Sequence, residues 1–587
     1  MIELYLNGQL AVLEKKTSFK MVFDNPYFTK SSTYTHDINL PLEGCTKNQI
    51  IFKHINRGDI RKAPQTLSAI FIAENRVLLN GTAVIREITE KRVQVQLLAG
   101  NAEMNFFVSG EKYIDELGIP SWGSSIDDWI IDYETDMYFA SYPNIGSVWF
   151  PVYNETSGEV YNRIAANYHI MNGEWVESLS QYNQSYSRCP QPYLCYLIQR
   201  IIQKLGYKMV ENQIEDTVFK NIFIANATVA YSMDDILPHW TVNEFFTQLE
   251  KFLGVVVVVD EGNKSVRLML TPSFFDDTNP IHIDDVVDSF TAKIDDSDTT
   301  DLSNANIGFS ISGSDYLKYR KLDMESIKNI KVLKYDTYRD LITELSKLDD
   351  WNKARRVYEA EGKQYIWIPG DRANLKEVNQ FRDLIRNPEK TDLDIELKIV
   401  PVALRNIEVE VYAPGTVTSG NLRWKGNVAA LSMPGASFVP FQSDDPSVQD
   451  IIDGNVPDTY KPDKIEVALN DGLKMLYGGG ENKHRFPIPF TDCNDNLDGI
   501  AQKFPNVSLR LCDAPEVKSL GSEIFAKVKK INTTVEETKR FISKTIYDPK
   551  KVFIINNKRY VCQKIEITVT PEEIDSLQEA TMYELLD

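Results

Sequence analysis

The chain has few cysteines and histidines and no long apolar run. Its 587 residues include six of each. The cysteines are scattered without a CxxC pair, so we expect free thiols of a reducing compartment and no disulfide framework. The longest apolar run, residues 255–259, has the length of a strand, whereas a membrane span needs about 18 residues. The start, MIELYLNGQL, lacks a basic segment followed by an apolar one, so no secretory signal is expected. The cysteines are Cys45, Cys189, Cys195, Cys493, Cys512 and Cys562.

Positive charge is also in short supply. The chain has 64 Lys and Arg against 84 Asp and Glu, which gives a net charge of −20. This balance argues against wrapping nucleic acid by counterion release, and a pore lined by such a chain would repel DNA. The apolar content of 43% is that of an ordinary globular protein. The length exceeds a single hydrophobic core and predicts roughly three to five domains.

Motifs that carry chemistry are missing as well. There is no HExxH, no pair of histidines four residues apart, no GxxxxGK[ST] and no GxSxG. The three glycines at 478–480 do not have Rossmann spacing. We therefore predict no catalytic, cofactor-binding or metal-binding residue, and we expect isolated structural or surface histidines. These are His36, His54, His169, His239, His282 and His484.

One segment imitates the start of an EF-hand calcium loop. Residues 492–499 place Asp or Asn at the spacing of its first ligands. However, Leu497 occupies the position that needs glycine, and Lys503 occupies the position of the bidentate glutamate. We therefore expect an Asx-rich turn there.

Neighbouring charged residues give equally weak signals. The doublets at 127–128, 234–235 and 284–285 are adjacent aspartates. Adjacent residues on a strand point to opposite faces, so these doublets are poor acid/base partners, although a glycosidase pair elsewhere stays open. Arg57, Arg61 and Lys62 form a small basic island that we interpret as a solvated loop.

What the sequence does contain is β alternation. In residues 81–107, Val84 and Ile88 alternate with polar residues, as do Val93, Val95 and Leu97 after a charged turn. This pattern predicts an antiparallel hairpin with one buried face. Further short strands separated by turn signals, such as Asn7-Gly8, favour a small barrel or sandwich over residues 1–110.

Helical spacing appears only in the middle of the chain. One helix is predicted from Tyr193 to Leu205, and a second after Thr241, whose spacing to Glu244 is a capping-box pattern. A third is predicted from Tyr338 to Leu348. Gly254 ends the second helix, and strands follow at 255–259 and 265–270. The fold class is therefore α+β, mainly β and multidomain, with antiparallel barrel or sandwich domains and a helix-containing α+β insertion.

We divide the chain into five segments on these patterns. They are an N-terminal β-domain that forms a tube or ring (1–110), an aromatic loop-rich insertion (111–190), an α+β domain (191–335), a mixed segment (336–400) and a C-terminal β-rich domain (401–587). The acidic stretch 295–301 is interpreted as a linker or exposed loop.

A family resemblance adds to these patterns. NPYFTKSSTYTHDINLPL at 25–42, NQIIFKHINR at 48–57 and CPQPYLCYLIQRIIQKLGY at 189–207 resemble proteins from tail-gene clusters of phages and prophages of Bacteroides and relatives. The segments at 77–107, 236–260 and 552–570 are similar to the same group. The order of elements further resembles the hub proteins at the tip of long phage tails, which is an analogy at the level of the fold.

The resemblance implies a structural virion protein without enzymatic activity. Such a hub is a homotrimer in which paired β-domains continue the tail tube, and DNA passes through it without specific binding. Its neighbours would be the distal tail ring, the tape measure, and fibres or a spike. Two alternatives stay open: a distal tail ring or receptor-binding adhesin of the same tail, and an envelope-polysaccharide hydrolase.

Zymography separates the hydrolase from the structural alternatives. We expect the purified chain to leave bacterial cell walls intact, because no catalytic constellation is visible in its sequence. Clearing of the wall that disappears on changing one carboxylate would instead identify a hydrolase.

Overall fold

The computed structural model describes most of the chain. The described residues are 2–60, 66–108, 112–120, 142–144, 146–155, 158–162, 164–171, 174–181, 189–227, 233–260, 262–275, 278–287, 290–294, 302, 305–310, 332–349, 352–353, 357–361, 363–367, 375–377, 386–387, 393–413, 422–433, 462–477, 483–491, 507–511 and 518–586.

Strands dominate this part of the chain. In order they are β1 Ile2–Leu6, β2 Gln9–Leu10, β3 Phe19–Asp24, β4 Thr33–Thr35, β5 Ile38–Pro41, β6 Thr66–Ala73, β7 Arg76–Ile88, β8 Arg92–Leu98, β9 Ser147–Val148, β10 Val152–Asn154, β11 Val160–Tyr161, β12 Ile164–Met171, β13 Glu174–Gln181, β14 Gln191–Pro192, β15 Lys208–Asn212, β16 Ile222–Ile224, β17 Val255–Asp260, β18 Ser265–Leu270, β19 Ile281–Ile283, β20 Thr291–Ile294, β21 Ile307–Phe309, β22 Val332–Tyr335, β23 Val357–Ala360, β24 Lys363–Trp367, β25 Leu375–Glu377, β26 Ile395–Leu397, β27 Ile399–Pro401, β28 Ala403–Ala413, β29 Leu422–Met433, β30 Ile465–Tyr477, β31 Lys483–Phe490, β32 Val507–Ser508, β33 Lys518–Ser519, β34 Lys530–Ile542, β35 Val552–Ile555, β36 Lys558–Val569 and β37 Ile574–Leu586.

The α-helices of the described residues are fewer than the strands. They are α1 Pro26–Thr29, α2 Thr46–Ile51, α3 Asn101–Val108, α4 Leu194–Lys204, α5 Val242–Leu253, α6 Thr271–Phe274, α7 Tyr338–Leu345 and α8 Leu520–Glu523. The protein is thus a mainly β, α+β chain with several separate sheets.

The largest sheet has 14 strands and is built from both ends of the described chain. Its main path runs β2-β1-β6-β7-β8-β4-β3-β36-β37-β34-β20, and β5, β19 and β35 pair alongside. Within the described residues this path is open at β2 and at β20. The sheet therefore does not form the closed barrel that the sequence pattern allowed. One hydrophobic core lies under both halves of the sheet, from Leu4 and Met21 to Ile565 and Met582.

The two halves of this sheet meet where β3 pairs with β36, a junction that we call the seam. The strands are antiparallel, with Phe19 opposite Val569 and Asp24 opposite Lys564. Side chains cross the seam as well, because Lys20 Nζ lies 2.7 Å from Glu566 Oε2. Strands that the sequence segmentation assigns to residues 1–110 and 401–587 therefore belong to one sheet.

The middle of the chain forms smaller sheets on a second, larger core. The α+β module places α5 before the hairpin β17–β18, and β15 adds to β18 in parallel. A six-stranded sheet runs β11-β10-β29-β28-β12-β13, and a four-stranded sheet β22-β23-β24-β25 packs against α7.

Local chemistry explains the boundaries of α5. The Thr241 hydroxyl accepts a hydrogen bond from the Glu244 N–H, and Gly254 ends the helix at a φ of 57°. The predicted capping box is only half formed, because the Glu244 carboxylate lies 3.0 Å from Lys398 Nζ. The ion pair therefore takes the carboxylate that a full box needs.

Buried asparagines connect segments where strand ladders stop. Asn25 donates from Nδ2 to the carbonyls of Pro549 and Cys562, and its Oδ1 accepts from the Tyr27 N–H. Asn101, at the start of α3, donates to the Val257 carbonyl and accepts from the Val259 N–H. These amides satisfy backbone groups that would otherwise be buried without partners.

Several sequence-based expectations are confirmed. The hairpin predicted in residues 81–107 is β7–β8, with Ile85 opposite Val95. The helix before Gly206 and the strands after Gly254 are present, and the fold class is mainly β with an α+β insertion.

Other expectations were wrong in detail. Two long C-terminal strands, β34 and β37, were missed, since runs of polar residues within them hide the alternation. Residues 111–190, expected to be irregular, contain the hairpin β12–β13. The third helix ends at Leu345 rather than Leu348.

We predict that Asn25→Ala destabilises the protein. The substitution leaves buried carbonyls at the seam without their donor, which costs about 2–4 kcal/mol. The expected result is a lower urea midpoint for the transition that reports on the large sheet. Asn243→Ala, on the exposed side of α5, is the matched control and should change it little. Equal midpoints for Asn25→Ala and wild type would contradict the role of the amide.

Candidate functional site

The most organised polar cluster outside the sheets joins His239 to Asp115. The His239 Nδ1 lies 3.1 Å from the Asp115 carboxylate, which is buried, and the Tyr113 ring stacks on the imidazole at 3.9 Å between centroids. The backbone also links these segments, since the Ile114 N–H donates to the Trp240 carbonyl. The arrangement orients one histidine and fastens two loops together.

The other histidines lie apart from one another. His36 and His282 are exposed, and His54 is half-buried in a turn with a φ of 56°. His169 and His484 lie on β12 and β31, where only the backbone is described. Within the described ranges, no three His, Cys, Asp or Glu side chains come close enough to hold a metal ion.

The carboxylate doublets do not form a catalytic pair either. Asp234 caps a turn by accepting a hydrogen bond from the Ile119 N–H, whereas Asp284 and Asp285 are exposed. Arg57 pairs with Asp59 on the surface. The sites at 127–128, 478–480 and 492–503, the acidic stretch 295–301, and Arg61 and Lys62 lie outside the described residues.

The cysteines within the described ranges are free thiols. Cys189, Cys195 and Cys562 are buried, and Cys45 is half-buried. Burial raises the pKa of Cys195 to about 12 and that of Cys562 well above its ordinary value. These two thiols are therefore protonated and poor nucleophiles at neutral pH. Cys493 and Cys512 lie outside the described residues.

A cavity of about 320 Å³ lies where α1, α5 and the C-terminal strands meet. Its wall includes the rings of Tyr27 and Tyr583, and Lys30 Nζ lies 2.8 Å from Glu250. Burial raises the pKa of Glu250, and the Lys30 charge opposes this shift. Lys251 also lines the cavity, and burial together with the Lys30 charge lowers its pKa. Because the wall is built from α1, α5 and the C-terminal strands, we assign the cavity to the junction between segments.

The seam carries the most perturbed carboxyl group of the large sheet. Burial raises the pKa of Asp24 to about 6, while the Thr29 hydroxyl and the Lys564 charge act in the opposite direction. Its Oδ1 is buried and has no hydrogen-bond partner among the described residues. Nearby, burial favours a higher pKa for Glu566, but hydrogen bonds from Lys20 and Lys564 outweigh it and lower the pKa.

These observations leave the 14-stranded sheet as the candidate functional feature. It is a continuous wall to which residues 2–98 and 530–586 both contribute, and its core face is closed by side chains. No helix among the described residues is long and apolar enough to cross a membrane. The sequence predicted β-domains at both ends of the chain, but no local pattern indicated that β3 and β36 would pair.

Comparison with known proteins gives few matches. No protein-family model matches the chain, and no curated protein matches it. Among solved structures it is similar to the 43 kDa tail protein of prophage MuSo2 from Shewanella oneidensis, with 6% identity, a TM-score of 0.30, and coverage of 99% of this chain and 97% of that one. It is also similar to the tail protein from Neisseria meningitidis MC58, with 6% identity, a TM-score of 0.28, and coverage of 99% and 95%. TM-scores this low carry no argument about function.

We predict that Asp24→Asn stabilises the protein at neutral pH. With a folded pKa above the unfolded value, ionisation of Asp24 costs stability as the pH rises from about 4 to 6, and the full cost persists above 6. After solvent screening we expect a gain of about 1–2 kcal/mol at pH 7.5 and none at pH 4. Thermal unfolding at pH 4 and at pH 7.5 measures this change in stability.

Asp37→Asn is the control, because Asp37 is exposed one strand away. An Asp24→Asn gain that is the same at pH 4 and pH 7.5 would show that ionisation of Asp24 is not its cause.

Proposed function

We propose that this chain is a structural protein of a phage tail, and that copies of it form a ring at the tail tip that continues the tail tube. The observation that carries the proposal is the single 14-stranded sheet, which the two ends of the chain form together with β19 and β20. A sheet of this width is a wall element, and its polar outer rows suit contact with other proteins.

The order of elements supports this role. A β segment at 2–98 is followed by an insertion that contains α4 and α5, and then by a second β segment at 530–586. This is the order that the resemblance to tail hub proteins implies. Three copies would place six β segments around a central channel, because each copy contributes two.

The charge of the chain fits DNA passage. With a net charge of −20, it offers few cations to neutralise phosphates, so a DNA molecule would slide past without being held. In this proposal the chain is not an enzyme, and its neighbours are the distal tail ring, the tape measure, and fibres or a spike. It is made in the bacterial cytoplasm and ends in the virion.

Solution mass and particle labelling test the proposal together. We expect the purified full-length chain to assemble to three times its 67.1 kDa mass, and an antibody against it to label one end of the tail. Labelling of fibres together with glycan binding would favour the adhesin. A monomer that is absent from particles would overturn the proposal.

A further inference from the structure

The β20 end of the large sheet exposes apolar side chains. Phe290, which precedes β20, is 65% exposed, and Ile294 is 74% exposed. Residues four apart on a strand point to the same face. Ile294 lies opposite Val535 on β34, and the Phe290 ring covers Lys539, on the row that continues to buried Phe541. The face of the sheet that packs on the core therefore continues beyond the last row of buried side chains.

Two more exposed apolar residues lie near this edge but on the other face of the sheet, because Ile542 directly follows the core-facing Phe541. Ile542, 56% exposed, lies opposite Leu577, 42% exposed. The chain before β20 follows β34 to this point, because the Ile542 N–H donates to the Asp285 carbonyl. The side chains of Asp284 and Asp285 are exposed beside it. We call Phe290, Ile294, Asp284 and Asp285 the edge surface.

The opposite end of the sheet also exposes apolar residues, and the charged residues around them are mainly basic. Leu10, Val12 and Ile50 are 44%, 36% and 54% exposed. The Asn48 amide bonds to the backbone N–H and carbonyl of Val12, so α2 is fixed beside this segment.

Exposed lysines surround these apolar residues. Lys15 and Lys16 follow Val12, and Lys47 lies in the first turn of the helix that contains Ile50. Glu14 and Glu43 are the exposed acids nearby in the sequence. We call Leu10, Val12, Ile50, Lys15, Lys16 and Lys47 the end surface. In a chain with a net charge of −20, this lysine-rich patch stands out.

We propose that the edge surface of one copy docks on the end surface of the next copy. This inference rests on the proposed ring and names the contact that builds it. The exposed aspartates of the edge surface, the exposed lysines of the end surface and the exposed apolar groups of both favour this pairing, whereas two edge surfaces face to face would oppose aspartates. Lys293 on β20 is also exposed, and its charge is paired with Glu536. Such a head-to-tail contact repeats from copy to copy and can close into a ring.

A charge swap tests the contact in the full-length chain. Asp284→Lys with Asp285→Lys, or Lys15→Glu with Lys16→Glu, should each weaken self-association about 10- to 100-fold at 50 mM salt, and less at 500 mM. A chain carrying all four substitutions should recover most of the wild-type association, because the charges are again complementary. Sedimentation velocity over a concentration series measures the constants.

An apolar variant tests the same contact without charge. Phe290→Ser with Ile294→Ser should weaken association at least about 10-fold, independently of salt. Val210→Ser is the matched control, since Val210 is 50% exposed on β15, outside both surfaces. Unchanged thermal midpoints show that each variant is folded.

The outcomes separate this inference from the proposed function. If wild type forms rings that none of the variants weakens, or if the four-fold charge swap does not restore association, the docking is wrong while the tail function stands. A chain that is monomeric at all concentrations but present in particles also overturns the docking. A monomer absent from particles overturns both.

Discussion

The seam between β3 and β36 is the constraint on which the rest of the structure depends. It pairs residues that are more than 500 positions apart, as the Lys20–Glu566 contact shows. Closing such a long loop costs chain entropy before any contact forms. The core shared by Met21, Ile565 and Ile567 offsets that cost only when both halves are in place. The smaller sheets and helices of the middle of the chain are therefore inserted between segments that one sheet holds together.

Buried amides maintain the connections that strand pairing alone does not make. Asn25 fastens the seam to the loop before β35, and Asn101 joins α3 to β17. Asn162 does the same in the insertion, where it bonds to the backbone of Phe150 and Cys189. Each amide both donates and accepts, so it is satisfied in one geometry only. This specificity fixes how the separate sheets are placed against one another.

Reactive groups have a minor part in this architecture. The His239–Asp115 pair links two loops, and burial keeps the Cys195 thiol protonated. Lys30 pairs with Glu250 at the cavity, and Lys20 pairs with Glu566 at the seam. What varies over the molecule is instead the distribution of exposed apolar residues and charge at the two ends of the large sheet. These two ends are the surfaces that the proposed contact between copies uses.

The sequence by itself determined the local elements whose signals are short-range. Period-two alternation determined the β7–β8 hairpin, and Thr241 and Gly254 determined the ends of α5. It also determined the fold class and the net acidity. Strands such as β34 and β37 were missed because runs of polar residues interrupt their alternation, and their pairing, rather than their pattern, makes them strands. Tertiary structure alone decided that β3 joins β36 and which side chains remain uncovered at β20, since both depend on contacts between residues far apart in the chain.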